Sequence, residues 1–340
     1  MPPGRYMSEK IDKLKSLLAT VKPDRVGDLH KRIQFLETEL EKKYEFEEVA
    51  KKLSKAPIKP IVCKRRAASE STVVAVISDW HSDEIVQSST VNGINEYNRA
   101  IFERRVASLL SGTISLTNIQ RNGTDINTLV LPLLGDFISG HIHEELAETT
   151  DLAPPVAAVE VFKVLVPFIT ELSKHFKRVV IPCCVGNHGR TTLKNRIATG
   201  IEHSYETIIY HFLASHFKVS GINNVEFQIG DGYHNYLNIY EYPMRFHHGH
   251  FIKYGGGIGG IAIPTLKAIS QWNKIRTAYM DVFGHLHQFV AMRSFICNGS
   301  LIGFSPYALS IKAEPEPPCQ VFFLMENKRG RTITCPIITP

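Results

Sequence analysis

The chain has 340 residues, 44% of them hydrophobic, with a formal net charge of +6 and 15 histidines. That is enough for one large domain, or one domain with an appendage, and the mild basicity permits an anionic substrate without requiring one. No apolar run approaches the roughly 20 residues that span a bilayer, and the opening MPPGRYMSEKIDKLKSLL lacks the basic-then-apolar order of a secretory signal. A soluble, cytoplasmic protein without membrane contact is expected.

Residues 8 to about 53 read as helices. Ile11, Leu14, Leu17, Leu18 and Val21 recur at helical spacing, and after Pro23 the stripe continues through Leu29, Ile33, Leu36 and Leu40. Two uses fit so short a stripe: packing on the main domain, or a hairpin that makes a homodimer or holds a partner. KAPIKPIVCKRRAASEST, with two prolines and the Lys64–Arg65–Arg66 cluster, reads as a linker. The expected division is therefore an N-terminal helical extension and linker over residues 1–66, then a main domain over 67–340.

From Val73 onward β-rich runs alternate with helical patterns. TVVAVISD, NTLVLPLLGD and RVVIPCCVGNHG predict strands. INEYNRAIFERRVASLL, VAAVEVFKVLVPFITELSKHF, the stretch from about Thr192 to Phe217 and a stretch near Thr265 to Arg276 predict helices. NYLNIYEYPMRFHHGH and AYMDVFGHLH add further strands, and the tail from about Val290 reads mainly as short strands. The pattern is that of an α/β protein with layered sheets covered by helices. The six cysteines include no CxxC pair, and Cys183 and Cys184 lie in an apolar run, as reduced, buried thiols would.

Strand after strand stops in polar residues. VISDWHSDE ends with Asp79 and His81, LPLLGDFISG with Gly135 and Asp136, and IPCCVGNHGR with Gly186, Asn187 and His188. MRFHHGH ends with His247, His248 and His250, and DVFGHLHQF with His285 and His287. Taken alone, each is an ordinary solvated strand edge. In an α/β sheet, however, the carboxyl ends of strands converge on one crevice. Imidazole, carboxylate and amide oxygen without thiolate suit Mn, Fe, Ni or Zn. There are too many donors for one ion, whereas two ions bridged by a carboxylate would use them all. Strand alternation would put His285 and His287 on one face, with Leu286 turned away.

The blocks D-x-H, GD, GNH, HGH and GHxH, in that order and each after a strand, resemble those of the calcineurin-like metallophosphoesterases over roughly Val73 to Ser300. The resemblance implies a four-layer β-sandwich flanked by helices, with two divalent transition-metal ions at the strand ends, Mn first and Fe, Ni or Zn as alternatives. It further implies that Asp79, His81 and His287 hold one ion, that Asp136 bridges, and that Asn187, His248 and His285 hold the other. His188 would steady or protonate the leaving oxygen. Three departures stand out. Gly189 replaces the acid that often follows GNH, so His188 needs another partner. GDFISG lacks the D-R-G ending of Ser/Thr protein phosphatases. The fourth block offers His247 and His250 as alternatives to His248.

His141, His143, Arg190, His250 and Lys253 are candidates to touch substrate, with the glycine-rich KYGGGIGG as a candidate phosphate cradle. Asn298, Gly299 and Ser300 are expected to complete a core strand near the site. The expected activity is two-metal phosphoester hydrolysis by a phosphodiesterase or nuclease on DNA or nucleotides, distantly similar to SbcD-type repair exonucleases. A phosphoprotein or small-molecule phosphomonoesterase is the alternative within enzymes. A non-catalytic scaffold is the alternative outside them, and it is disfavoured because no expected ligand is missing.

Overall fold

The computed structural model describes residues 70–254 and 259–340, together with Gly27, Lys31, Arg32 and Gln34. The expected N-terminal helices, nearly all of the linker and the middle of the glycine-rich loop (residues 255–258) lie outside the described residues, apart from the four N-terminal residues just named. The chain divides into two units, Met1–Arg65 and Arg66–Pro340, and the eleven described strands all belong to the second.

These strands form two sheets. The first has the order β11-β10-β1-β2-β3-β4. Its strands β1 (Glu70–Ala75), β2 (Asp125–Val130), β3 (Arg178–Cys183) and β4 (Val225–Ile229) run parallel, and β10 (Cys319–Glu326) and β11 (Gly330–Ile338) close one edge antiparallel. The second has the order β5-β6-β7-β9-β8, from β5 (Asn235–Ile239), β6 (Tyr242–Phe246), β7 (Met280–Phe283), β8 (Val290–Ala291) and β9 (Phe295–Cys297).

Strand β1 shows why its sequence is apolar throughout. Val73 and Ala75 face one core, and Val74 faces the other, a pattern that Val76 and Ile77 continue just beyond the strand. A strand covered on both faces has no polar side to show. The first core packs the sheet against helices α1 (Arg99–Arg121), α3 (Pro154–His175) and α4 (Tyr205–Val219). The second lies between the sheets and joins Val74, Val130 and Val180 to Met244, Phe246, Met280 and Val282. A third packs Phe283 and Phe295 against Ile269 and Trp272 of α5 (Ala262–Trp272). Helices, sheet, sheet and helix make the four layers that the motif order implied. Two short helices, α2 (Glu144–Thr149) and α6 (Pro306–Ser310), sit in connections.

Several expected elements differ. The helix expected from Thr192 starts only at Tyr205, where the Ser204 hydroxyl caps it by accepting from Glu206 N (3.2 Å). Leu193 and Ile197 mimic helical spacing, but they are 88% and 64% exposed and so find no core to bury them. Helix α1 begins at the Asn98 cap and runs to Arg121, beyond the apolar run that suggested it. The stretch from Asn235 to Phe246 is a hairpin, β5–β6, broken at Tyr240 (φ 55°). Strands β10 and β11 have eight and nine residues, not the short strands expected of the tail. Asn298, Gly299 and Ser300 follow β9 rather than continue it. Among the described residues no helix is long and apolar enough to cross a membrane.

Candidate metal centre

The loops that follow β1, β2, β3, β6 and β7 meet at one end of the sandwich. Asp79, His81 and His287 present ligand atoms within 4.8 Å of one another, as do Asp136, His248 and His285, and likewise His81, Asp136 and His188. The three groups overlap, with Asp136 in two of them. Asn187 is buried beside them, and its Oδ1 has no hydrogen-bond partner among the described residues.

The backbone is bent to achieve this. Eight non-glycine residues among those described have positive φ, and five of them are Asp79 (55°), His81 (47°), Asp136 (55°), His285 (69°) and His287 (53°). Left-handed backbone at such residues costs on the order of 1–3 kcal/mol each and persists only where surrounding contacts impose it. Here the loops brace one another. Asp79 N donates to Gly135 O (3.0 Å), His81 N to Asp136 O (3.1 Å), Gly284 N to His248 O (2.8 Å), and His285 N to the Asp79 carboxylate (3.0 and 3.1 Å). Gly135 and Gly186 lie so close that a Cβ on the first would overlap the amide of the second, and a Cβ on Gly186 would overlap the Asp136 carboxylate. The two bare backbones let the third loop reach the Asp136 carboxylate.

This geometry corrects the expectation that strand alternation aligns His285 and His287. Both follow the end of β7, in a loop, and it is their left-handed backbone that sends one to Asp136 and the other to Asp79. Leu286 between them is buried, as expected.

Second contacts fix which imidazole nitrogen faces the crevice. His248 Nδ1 donates to Leu134 O (2.8 Å), leaving Nε2 toward Asp136. His188 Nδ1 donates to Ser139 O (2.8 Å), the partner that the missing acid after GNH left open. His81 Nε2 and His287 Nε2 stand 3.2 Å apart. His248 Nε2 stands 2.8 Å from Asp136 Oδ2, at ion-pair distance. Among the described residues no lysine or arginine pairs with Asp79 or Asp136; their ion-pair partners are His287 and His248.

The electrostatics follow from burial. Burial lowers the imidazoles of His81, His188 and His285, keeping them neutral and available as ligands. At Asp136 burial opposes ionisation, but His248 and His188 outweigh it and hold the carboxyl well below the carboxylate range. Burial also works against a charge on His248, and there Asp136 prevails.

The fourth block is resolved by position. His248 stands with Asp136 and His285. His247 points to the opposite face of the second sheet, 3.3 Å from Asp281 Oδ1 and stacked on Phe283. His250 belongs to none of the ligand groups; its ring lies 5.5 Å from that of His248 and lines an adjacent recess with Arg190 and Tyr233. The other candidate contacts differ in kind. Arg190 braces its own loop, donating to the carbonyls of Asn187 (2.6 Å) and Thr192 (3.1 Å). His141 is exposed and meets Thr150 Oγ1 at 3.1 Å, His143 is an exposed residue preceding α2, and Lys253 is exposed; none of these three joins a ligand group.

Other residues of the site carry no signal in a motif. Glu206, fully buried in α4, accepts from the amides of Phe137 (2.9 Å) and Gly186 (2.6 Å), and burial pushes its carboxyl up to about 7. Glu84 lies behind His81, its carboxyl also pushed up to about 7 by burial. Asn298 donates to Ser78 Oγ (2.9 Å), whose hydroxyl donates to Asp79. The ring of Tyr307, on α6, lies 5.0 Å from His287 and 6.1 Å from His285.

No protein-family model matches the chain, and no curated protein matches it. Solved structures do. A hypothetical protein of Pyrococcus horikoshii OT3 is 11% identical with a TM-score of 0.34, over 79% of this chain and 89% of that one. Vps29 of Chaetomium thermophilum is 8% identical with a TM-score of 0.30, over 79% of this chain and 100% of its own. A dimetal phosphatase from Danio rerio is 9% identical with a TM-score of 0.37, over 79% and 99%. The layered sheets are those that the resemblance to the calcineurin-like metallophosphoesterases implies.

Proposed function

We propose that this chain hydrolyses phosphoester bonds with two divalent metal ions, and that its substrate is a phosphodiester of nucleic acid or a nucleotide. The observation that carries the reading is the pair of ligand groups, Asp79–His81–His287 and Asp136–His248–His285, linked through a third that shares His81 and Asp136. When bound, two such ions neutralise phosphoryl charge and make hydroxide available near neutral pH.

The residues divide the remaining work. Asp79, His81 and His287 form one half of the cradle; Asp136, Asn187, His248 and His285 form the other, with Asp136 serving both. With its Nδ1 proton held by the Ser139 carbonyl, a neutral His188 presents a bare Nε2 that accepts a proton in the site, and the imidazolium so formed can donate to a phosphoryl or leaving oxygen as charge develops there. The preference for diesters rests on GDFISG, which lacks the arginine that protein phosphatases place against a dianionic monoester, and on a guanidinium at Arg190 already engaged with two carbonyls.

An activity panel tests this. A chromogenic phosphodiester, a phosphomonoester, and single- and double-stranded DNA and RNA are each incubated with Mn²⁺ and with EDTA. Metal-dependent cleavage of the diester and of nucleic acid is expected. If nucleic acid is the substrate, binding weakens by roughly 0.7–0.9 log units per log unit of salt for each phosphate neutralised. Monoester turnover with no trimming of DNA or RNA would shift the assignment to a phosphatase, and no turnover at all would favour a scaffold.

A further inference from the structure

We infer that Ser139 is a positioning residue that aims two imidazoles at once, His81 toward a metal ion and His188 toward substrate, through two different atoms. The inference rests on the proposed metal centre. Ser139 is fully buried three residues after Asp136. Its hydroxyl donates to Glu84 Oε2 (2.8 Å). A hydroxyl has one proton, so toward His81 Nδ1, at 2.9 Å, the same oxygen acts as acceptor. His81 therefore carries its proton on Nδ1 and presents a bare Nε2 lone pair to the crevice. The chain Glu84–Ser139–His81 is the kind of outer support that fixes tautomer and ring orientation in a metal ligand.

The other atom of Ser139 acts on the other imidazole. Its carbonyl accepts from His188 Nδ1 (2.8 Å), so His188 also turns Nε2 outward. The two rings sit perpendicular, 4.7 Å between centroids, and share one residue as their anchor. That residue is held in turn by its amide, which donates to Asp83 Oδ1 (2.7 Å). Asp83 and Glu84 are themselves buried. The hydroxyl can be deleted without touching the carbonyl, so the two roles are separable by mutation.

The test uses the full chain, stripped of metal and titrated calorimetrically with Mn²⁺. Ser139→Ala should weaken one Mn²⁺ site by about 10–100-fold, the usual cost of losing an outer partner of a ligand, and leave the other little changed. The lost rate on a chromogenic diester should return as Mn²⁺ is raised. In His188→Gln it should not return, because that loss is not one of metal. Ser139→Thr, which keeps the hydroxyl, should recover most of the affinity. Glu84→Gln, which weakens the acceptor behind Ser139, should shift the same site in the same direction and serves if Ser139→Ala fails to fold. Wild-type protein that binds two Mn²⁺ beside a Ser139→Ala or Glu84→Gln variant of equal affinity at both sites would overturn the inference and leave the proposed function standing. Wild-type protein that binds no Mn²⁺ would instead overturn the proposed function.

Discussion

Residues 247 and 248 are both buried histidines, and they face two different polar clusters. On the outer face of the second sheet, His247 lies by Asp281, whose carboxylate receives Arg245 Nε (2.6 Å) and one of its terminal nitrogens (2.9 Å). That guanidinium is fully buried, packs over Trp272 and bonds Asn273 as well. On the inner face, His248 lies by Asp136, and no lysine or arginine among the described residues pairs with that carboxylate. Both clusters bury carboxylates, and buried charge demands compensation. The outer one carries its cation in the sequence. The inner one has only the His248 imidazole beside Asp136, and turns further imidazoles and an unpartnered amide oxygen to a common space, as the proposed metal centre requires.

Single substitutions should dismantle each cluster in its own way, the inner one with the larger loss. Asp136→Asn removes the charge shared by two ligand groups, so elemental analysis should show metal content falling along with the hydrolytic rate, the rate by 10²-fold or more on the scale typical for essential polar groups. Unchanged metal content would mean that Asp136 does not bridge. His188→Gln should lose on the order of 10²–10⁴-fold in rate, the typical worth of one acid–base group, with metal content nearly intact. An empty centre in that variant would make His188 a ligand.

Arg245→Met strips the outer cluster of its resident cation and should cost about 3–5 kcal/mol in urea unfolding, because it strands a buried carboxylate. The same variant should also respond differently to pH. Burial opposes ionisation of Asp281, but His247 and Arg245 beside it hold its carboxyl below the usual range. A depressed folded value stabilises fully above the unfolded carboxylate pKa of about 3.9 and is lost as pH falls through the folded one. Wild-type protein should therefore lose this contribution below about pH 4, and the variant, which keeps only His247 beside Asp281, should lose less. His141→Ala, at an exposed position outside the ligand groups, should change stability by no more than about 0.5 kcal/mol.

Much of this was legible in the sequence because strand ends are marked by composition. The five polar blocks each follow an apolar run, and the ligand groups draw on all of them. Even the choice of His248 was available. Met244 and Phe246 face the inter-sheet core and Arg245 faces outward, so alternation continues His247 outward and His248 inward. What stayed hidden has two physical causes. Ser139 reaches His188 through a backbone carbonyl and Glu206 accepts from backbone amides, and such contacts leave no side-chain pattern. The loops that carry His285 and His287 bend by positive φ, which no periodicity records, so strand alternation was the wrong reason to expect the two to turn toward Asp136 and Asp79. Leu193 and Ile197 show the converse, apolar spacing without a core to answer it.

Whether the inner cluster holds a pair of divalent ions is decided by metal analysis of the full chain, stripped with chelator, reconstituted with Mn²⁺ and freed of excess. Two equivalents per chain are expected, reduced in Asp136→Asn and kept in Arg245→Met that remains folded. A wild-type ceiling of one equivalent, or none, would mean that the inner cluster is not a two-metal centre.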